Sequence, residues 1–181
     1  MAIPAAAAAW FLPFVLPICL YVAFVDMREM RIKNHAVDAL LAVFVVVGLF
    51  VLPPWSGDWV AGNLGPLSFS LPVYLWQLSH FLVVLIAGIV LNSMGAMGGG
   101  DAKFMASAAP FIWVPDLLVL MAILASTTLG AFVAHRLAKH TKLRQMAPHW
   151  ESWDKGKKFP MGLTLSGTLT VYLILGIIHG S

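Results

Sequence analysis

The chain has 181 residues, of which 60% are apolar and 10% charged, with a formal net charge of +3. A soluble domain carries about a quarter charged residues, so eleven Lys and Arg with eight Asp and Glu cannot coat a globule of this length. An ordinary soluble enzyme, a disordered chain and a DNA-binding domain are excluded. The lone cysteine, Cys19, excludes a disulfide scaffold and a paired CxxC zinc site. What remains is an all-α polytopic membrane protein.

A helical span needs roughly 20 apolar residues to cross about 30 Å of hydrocarbon. In chain order the predicted spans are residues 4–25, 36–52, 75–97, 102–114, 117–134 and 161–178. The stretch before Trp10 has no basic flank, so it reads as the outer end of the first helix rather than a cleavable signal peptide. Pro13 and Pro17 would kink that helix, which a bundle tolerates. The 53–72 loop is rich in turn formers and carries Trp55 and Trp59, suited to a membrane interface. The fourth segment is short; as a regular helix it would reach only about 20 Å. No repeat is visible, and the chain reads as a single six-span domain over residues 1–181.

Charge placement fixes the topology. Arg28, Arg31 and Lys33 follow the first span, and Lys103 follows the third. Arg136, Lys139, Lys142, Arg144, Lys155, Lys157 and Lys158 follow the fifth. The intervening loops hold only Asp58 and Asp116. Basic residues mark the cytoplasmic side, so the short fourth segment must reach the far side, and both termini lie outside. The positive charge is therefore a topology signal, not a nucleic-acid footprint. The basic 135–159 stretch, with Trp150 and Trp153, reads either as a surface-lying segment on an anionic leaflet or as a solvated loop.

Ionisable residues at the ends of spans are costly and often functional. Asp26 closes the first span, where a helix C-terminus disfavours its charge. Asp101 follows Gly98, Gly99 and Gly100 and starts the next helix, where the free N–H groups favour an anion. Each has a bland reading: a boundary residue paired with Arg28 or Arg31, and an N-cap after a glycine turn. Together they stand at the cytoplasmic ends of different spans and could converge. Two nearby carboxylates do not both ionise easily, so one holds a proton while the other acts as base. The helix ends make Asp101 the expected anion and Asp26 the expected acid, although such a pair titrates as a unit. Asp38, four residues after Asn34, suits a structural role at a helix start. Lys103 either tunes the pair, holds a substrate carbonyl, or snorkels as an anchor. His135, His140 and His149 lack metal-site spacing, Cys19 reads as packing, and no P-loop is present. No metal and no cofactor are expected.

The Gly98-Gly99-Gly100-Asp101 run, continued by Ala102-Lys103-Phe104, resembles the Gly-x-Gly-Asp-x-Lys motif of the type IV prepilin peptidases. Asp26 with Arg31-Ile32-Lys33-Asn34 is similar to that family's first-aspartate segment, with Lys33 where Pro is usual. Phe159-Pro160-Met161-Gly162 resembles its Pro-x-Gly entry into the last span. The resemblance implies an aspartic leader peptidase with Asp26 and Asp101 catalytic. It implies that Gly98, Gly99, Gly100, Lys103, Arg31, Asn34, Pro160 and Gly162 shape the substrate approach. It also implies prepilin and pseudopilin substrates, an inner-membrane location and a cytoplasmic active site. The short loop after Asp26 has no Cys, which resembles the peptidase-only members of tight-adherence (Flp) pilus systems rather than the bifunctional methylating ones. Three rivals are a non-enzymatic component of a pilus assembly, a proton-coupled carrier, and a presenilin-type protease. A carrier would place its acids near the midplane, often in repeated halves; a presenilin-type enzyme would set its first Asp in a Tyr-Asp pair, whereas Val25 precedes Asp26.

Overall fold

Helix α1 (Ala5–Glu29) is the spine of the bundle, and its sequence shows why. Phe11, Val15, Cys19 and Val22 recur every three or four residues and are all buried, and Asp26 closes the same stripe. Pro13 and Pro17 lie within this one continuous helix. The computed structural model describes residues 1–64, 67–141, 143–153 and 159–181. The remaining long helices are α2 (Asn34–Val51), α3 (Val73–Ser93), α5 (Leu117–Lys139) and α7 (Met161–His179). A short helix α4 (Gly99–Ala108) follows α3, and a single-turn α6 (Leu143–Met146) follows α5. Five helices among the described residues are long and apolar enough to cross a membrane. The protein is an all-α polytopic membrane protein.

α1 and α7 run antiparallel and are closely packed along their length. At one end Gly162 sits against Asp26; at the other, Gly176 sits against Ile3 and Ala8. The Met1 ammonium donates to the His179 carbonyl at 2.7 Å, so the first and last residues meet. Toward that end Phe11, Phe44 and Phe111 pack with centroids 5.0 to 5.6 Å apart, and Tyr74 stacks on Phe44.

The fourth predicted span is not a regular helix. α4 stops at Ala108 and continues as a 3-10 turn (Ala109–Phe111), then an extended pair, then a second 3-10 turn (Val114–Asp116). Pro110 and Pro115 interrupt the helical hydrogen-bond ladder. Tighter and extended backbone rises faster than an α-helix, so Asp101 to Asp116 covers roughly 30 Å rather than the shorter reach of a uniform helix. Asp101 lies beside Asp26 at one end of α1. Asp116 accepts the Ala2 N–H at 2.7 Å and the Ile3 N–H at 3.1 Å at the other. The segment therefore traverses the bundle from end to end. Its freed Trp113 N–H donates to the Tyr172 hydroxyl at 3.1 Å, satisfying backbone that lipid could not.

Two further differences from the sequence reading stand out. The 53–72 loop contains an antiparallel hairpin, β1 (Trp59–Leu64) paired with β2 (Leu67–Pro72). Phe69 lies over Gly62, where any side chain would collide with the ring, and stacks on Trp76 at 5.6 Å. Within the basic stretch after α5, Trp150 and Trp153 pack back on the bundle. Trp153 is buried and stacks on His135 at 4.9 Å, while Trp150 bridges Trp153 and Phe24 of α1. Lys142, Lys155, Lys157 and Lys158 lie outside the described residues. Arg28, Arg31, Lys33, Lys103, Arg136 and Lys139 gather at the Asp26 end, and Asp58 and Asp116 at the other.

Candidate active site

Each carboxylate is delivered by a different element. Asp26 is in the last turn of α1 and is 5% exposed. The helix ends on Met30, whose φ of 52° is left-handed, a conformation usually left to Gly. Its N–H closes on the Asp26 carbonyl at 2.8 Å, reversing the chain beside the carboxylate. Across the bundle, the Gly162 N–H at the start of α7 donates to Asp26 Oδ2 at 2.7 Å. A Cβ on Gly162 would lie 2.9 Å from that oxygen, so only glycine allows this approach. Pro160 caps α7 just before it. The Pro-x-Gly sequence thus supplies a helix start and a bare N–H.

Asp101 is on α4, but it is not the helix cap that the sequence leaves open as a structural reading. α4 begins two residues earlier, at Gly99, with Gly98 as N-cap and Asp101 in the first turn. The chain reversal itself falls at Gly95, with φ of 71°. The Asp101 carboxylate folds back over Gly98, where a Cβ would come within 2.8 Å of Oδ2. Gly100 faces Ile32 across the cavity wall. Burial pushes the Asp101 carboxyl above its usual range. Both carboxylates therefore meet a helix N-terminus, α4 for Asp101 and α7 for Asp26. The Gly162 N–H offsets, for Asp26, part of the asymmetry expected from the opposite helix ends at which the two aspartates stand.

The two aspartates line one cavity of about 700 Å3, near enough for their charges to interact. Gly98, Gly99, Gly100, Lys103, Arg31 and Asn34 share its lining. Lys103 Nζ donates to Asn34 Oδ1 at 3.2 Å, tying α4 to the start of α2. Asn34 is thus a tether rather than a cap, and the α2 N-cap is Lys33, which pairs with Glu29. Pro160 and Gly162 stand behind Asp26 rather than on the lining. Asp38 is exposed on α2 and does not reach the cavity. Ile32, Lys33, Phe159 and Met161, which the motifs contain without a role, and Met30 and Asn92, which sequence reasoning missed, complete the walls. Asn92 had a local signal, since its side-chain amide donates to the Met97 carbonyl at 2.8 Å and shapes the glycine turn.

A polytopic helical bundle with two carboxylates from separate helices on one cavity, at its basic end, has the layout of a membrane-embedded hydrolase. A family model of the type IV leader peptidase family matches residues 13–135, which contain both aspartates. The chain belongs to that family and is a membrane peptidase. Searches of curated proteins and of solved structures found no match.

Proposed function

We propose that this peptidase is an aspartic endopeptidase that removes short basic leaders from prepilins and pseudopilins at the cytoplasmic face of a bacterial inner membrane. The observation that carries the reading is the shared cavity of Asp26 and Asp101. The pair holds one proton. The ionised carboxylate takes a proton from water, whose oxygen attacks the scissile carbonyl, while the neutral one hydrogen-bonds the carbonyl oxygen. Collapse of the tetrahedral intermediate passes a proton to the leaving amine and frees leader and mature protein. No metal or other cofactor takes part. The rim of Arg31 and Lys103 and the bare glycine backbone at Gly98, Gly99 and Gly100 receive the extended junction.

The termini lie on the periplasmic side, opposite the basic end. The link between α1 and α2 is four residues, Met30 to Lys33, leaving no room for the insertion that resemblance ties to N-methylation. Lipid and the prepilin are the partners, and nucleic acid is not. Co-expression with a prepilin from the same genome tests the substrate class, read as a gel shift with N-terminal sequencing of the product. Cleavage at the junction between leader and helix is the expected result. An intact prepilin beside a well-folded enzyme would instead favour the role of non-enzymatic assembly component.

A further inference from the structure

An apolar slot of about 350 Å3 opens on the side of the bundle between α3 and α5. Its walls include Val83 and Val84 of α3 and Leu120 and Met121 of α5. It exists because the fourth segment is narrow and α5 packs on α7 without closing onto α3; only 6% of the α5 span is buried. An open side alone says nothing about what covers it. Two helices, however, line both the slot and the catalytic cavity. On α4, Asp101 lines the cavity, and Met105 and Ala108 line the slot, with Ile112 beyond the helix lining it further on. Asp101, Met105 and Ala108 are spaced by four and three residues and share one face of α4. On α7, Met161 lines the cavity, while Leu165, Thr168 and Leu169 line the slot at the same spacing.

We infer that the slot is the docking site for the apolar helix that follows the scissile junction of the substrate, an inference that rests on the leader-peptidase reading. One molecule with a polar junction and an adjoining apolar helix fills both spaces along a single path. A free acyl chain fills only the second. The slot holds a few aliphatic side chains rather than a whole helix, so the substrate presents one face, in the manner of ridges entering a groove. Of its polar groups, the Thr168 hydroxyl is bonded within the bundle, whereas His80 Nε2 is buried with no hydrogen-bond partner among the described residues. A hydroxyl or small polar side chain on the substrate helix would satisfy it at that depth.

Site-specific photo-crosslinking in membranes tests this. A benzophenone amino acid is placed at Met121 or Val84 on the slot, and at Leu118 or Val46 as controls on outward faces. The enzyme carries Asp101→Asn to hold substrate. The probe is a single-span polypeptide with a lysine-bearing leader, a glycine at the junction and an apolar helix. Crosslinks at the slot positions should exceed the controls at least tenfold. Equal yields at all four, or lipid-only adducts at the slot with probe adducts at Leu118 or Val46, would overturn the inference. Cleavage of the same probe by the unlabelled wild type is measured in parallel. No cleavage strikes the leader-peptidase reading and the slot with it, whereas cleavage without slot crosslinks strikes the slot alone. As a second readout, Met121→Trp should slow cleavage of the membrane probe at least fivefold and leave a soluble peptide spanning only the junction unaffected. Undiminished cleavage of the membrane probe would count against the slot.

Discussion

At one end of the bundle Asp116 accepts hydrogen bonds from the Ala2 and Ile3 amides and from the Tyr172 hydroxyl, at 2.7, 3.1 and 2.9 Å. At the other end Asp26 accepts the Gly162 N–H and shares an open cavity with Asp101. The first carboxylate is surrounded by donors and joins three chain segments, the N-terminus, the end of the fourth segment and α7. The second pair is left with carboxylates lining an open cavity. Burial is similar, 3% exposed for Asp116 and 5% for Asp26. Saturation by internal donors, rather than burial, distinguishes Asp116 from Asp26.

That contrast is open to attack from both ends. The largest effect is expected at Gly162, where a methyl group would displace the Asp26 carboxylate from its N–H. Gly162→Ala should lower the cleavage rate about 100-fold, the scale of an ångström-sized misplacement of a catalytic group. Thermal unfolding should change little by comparison. Asp116→Ala should do the reverse. It orphans two buried donors and one part-buried donor and should destabilise the fold by about 3 kcal/mol, with the rate per folded molecule unchanged. Parallel melting curves and active-site-normalised rates in the same detergent would expose either assignment as inverted.

A smaller effect sharpens the comparison through pH. Burial raises the Asp101 pKa in the folded state, so its ionisation opposes folding. The penalty is absent below the unfolded value of about 3.9 and fully present once pH exceeds the folded value. Asp101→Asn should therefore melt higher than wild type at pH 7, with the gap closing below about pH 3.9. A variant that melts lower at pH 7 would show the carboxylate to be held by donors, as Asp116 is.

Much of this contrast was legible in the sequence at one end only. Asp26 and Asp101 stand out because a carboxylate closing an apolar span and another following three glycines are chemically conspicuous. The six apolar segments and the gathering of basic residues follow from hydropathy and charge. Gly162 was readable as part of a motif, but its contact with Asp26 depends on pairing elements 136 residues apart. Asp116 looked like an ordinary loop acid, since nothing local announces that Ala2, Ile3 and Tyr172 converge on it. The charge pattern requires the fourth segment to cross, and a uniform helical rise leaves it short; Pro110 and Pro115 are the residues that lengthen it. The hairpin was hidden by the turn formers around it, and the left-handed Met30 by the absence of a glycine.

The central claim is that Asp26 and Asp101 act as one catalytic pair. The most direct test is cleavage of a co-expressed prepilin by wild type, Asp26→Ala and Asp101→Ala, with Asp38→Ala as the exposed control. The account predicts a loss of about 100- to 10,000-fold in both site variants at normal membrane levels, and wild-type cleavage in the control. Cleavage that persists in either Asp26→Ala or Asp101→Ala would contradict it.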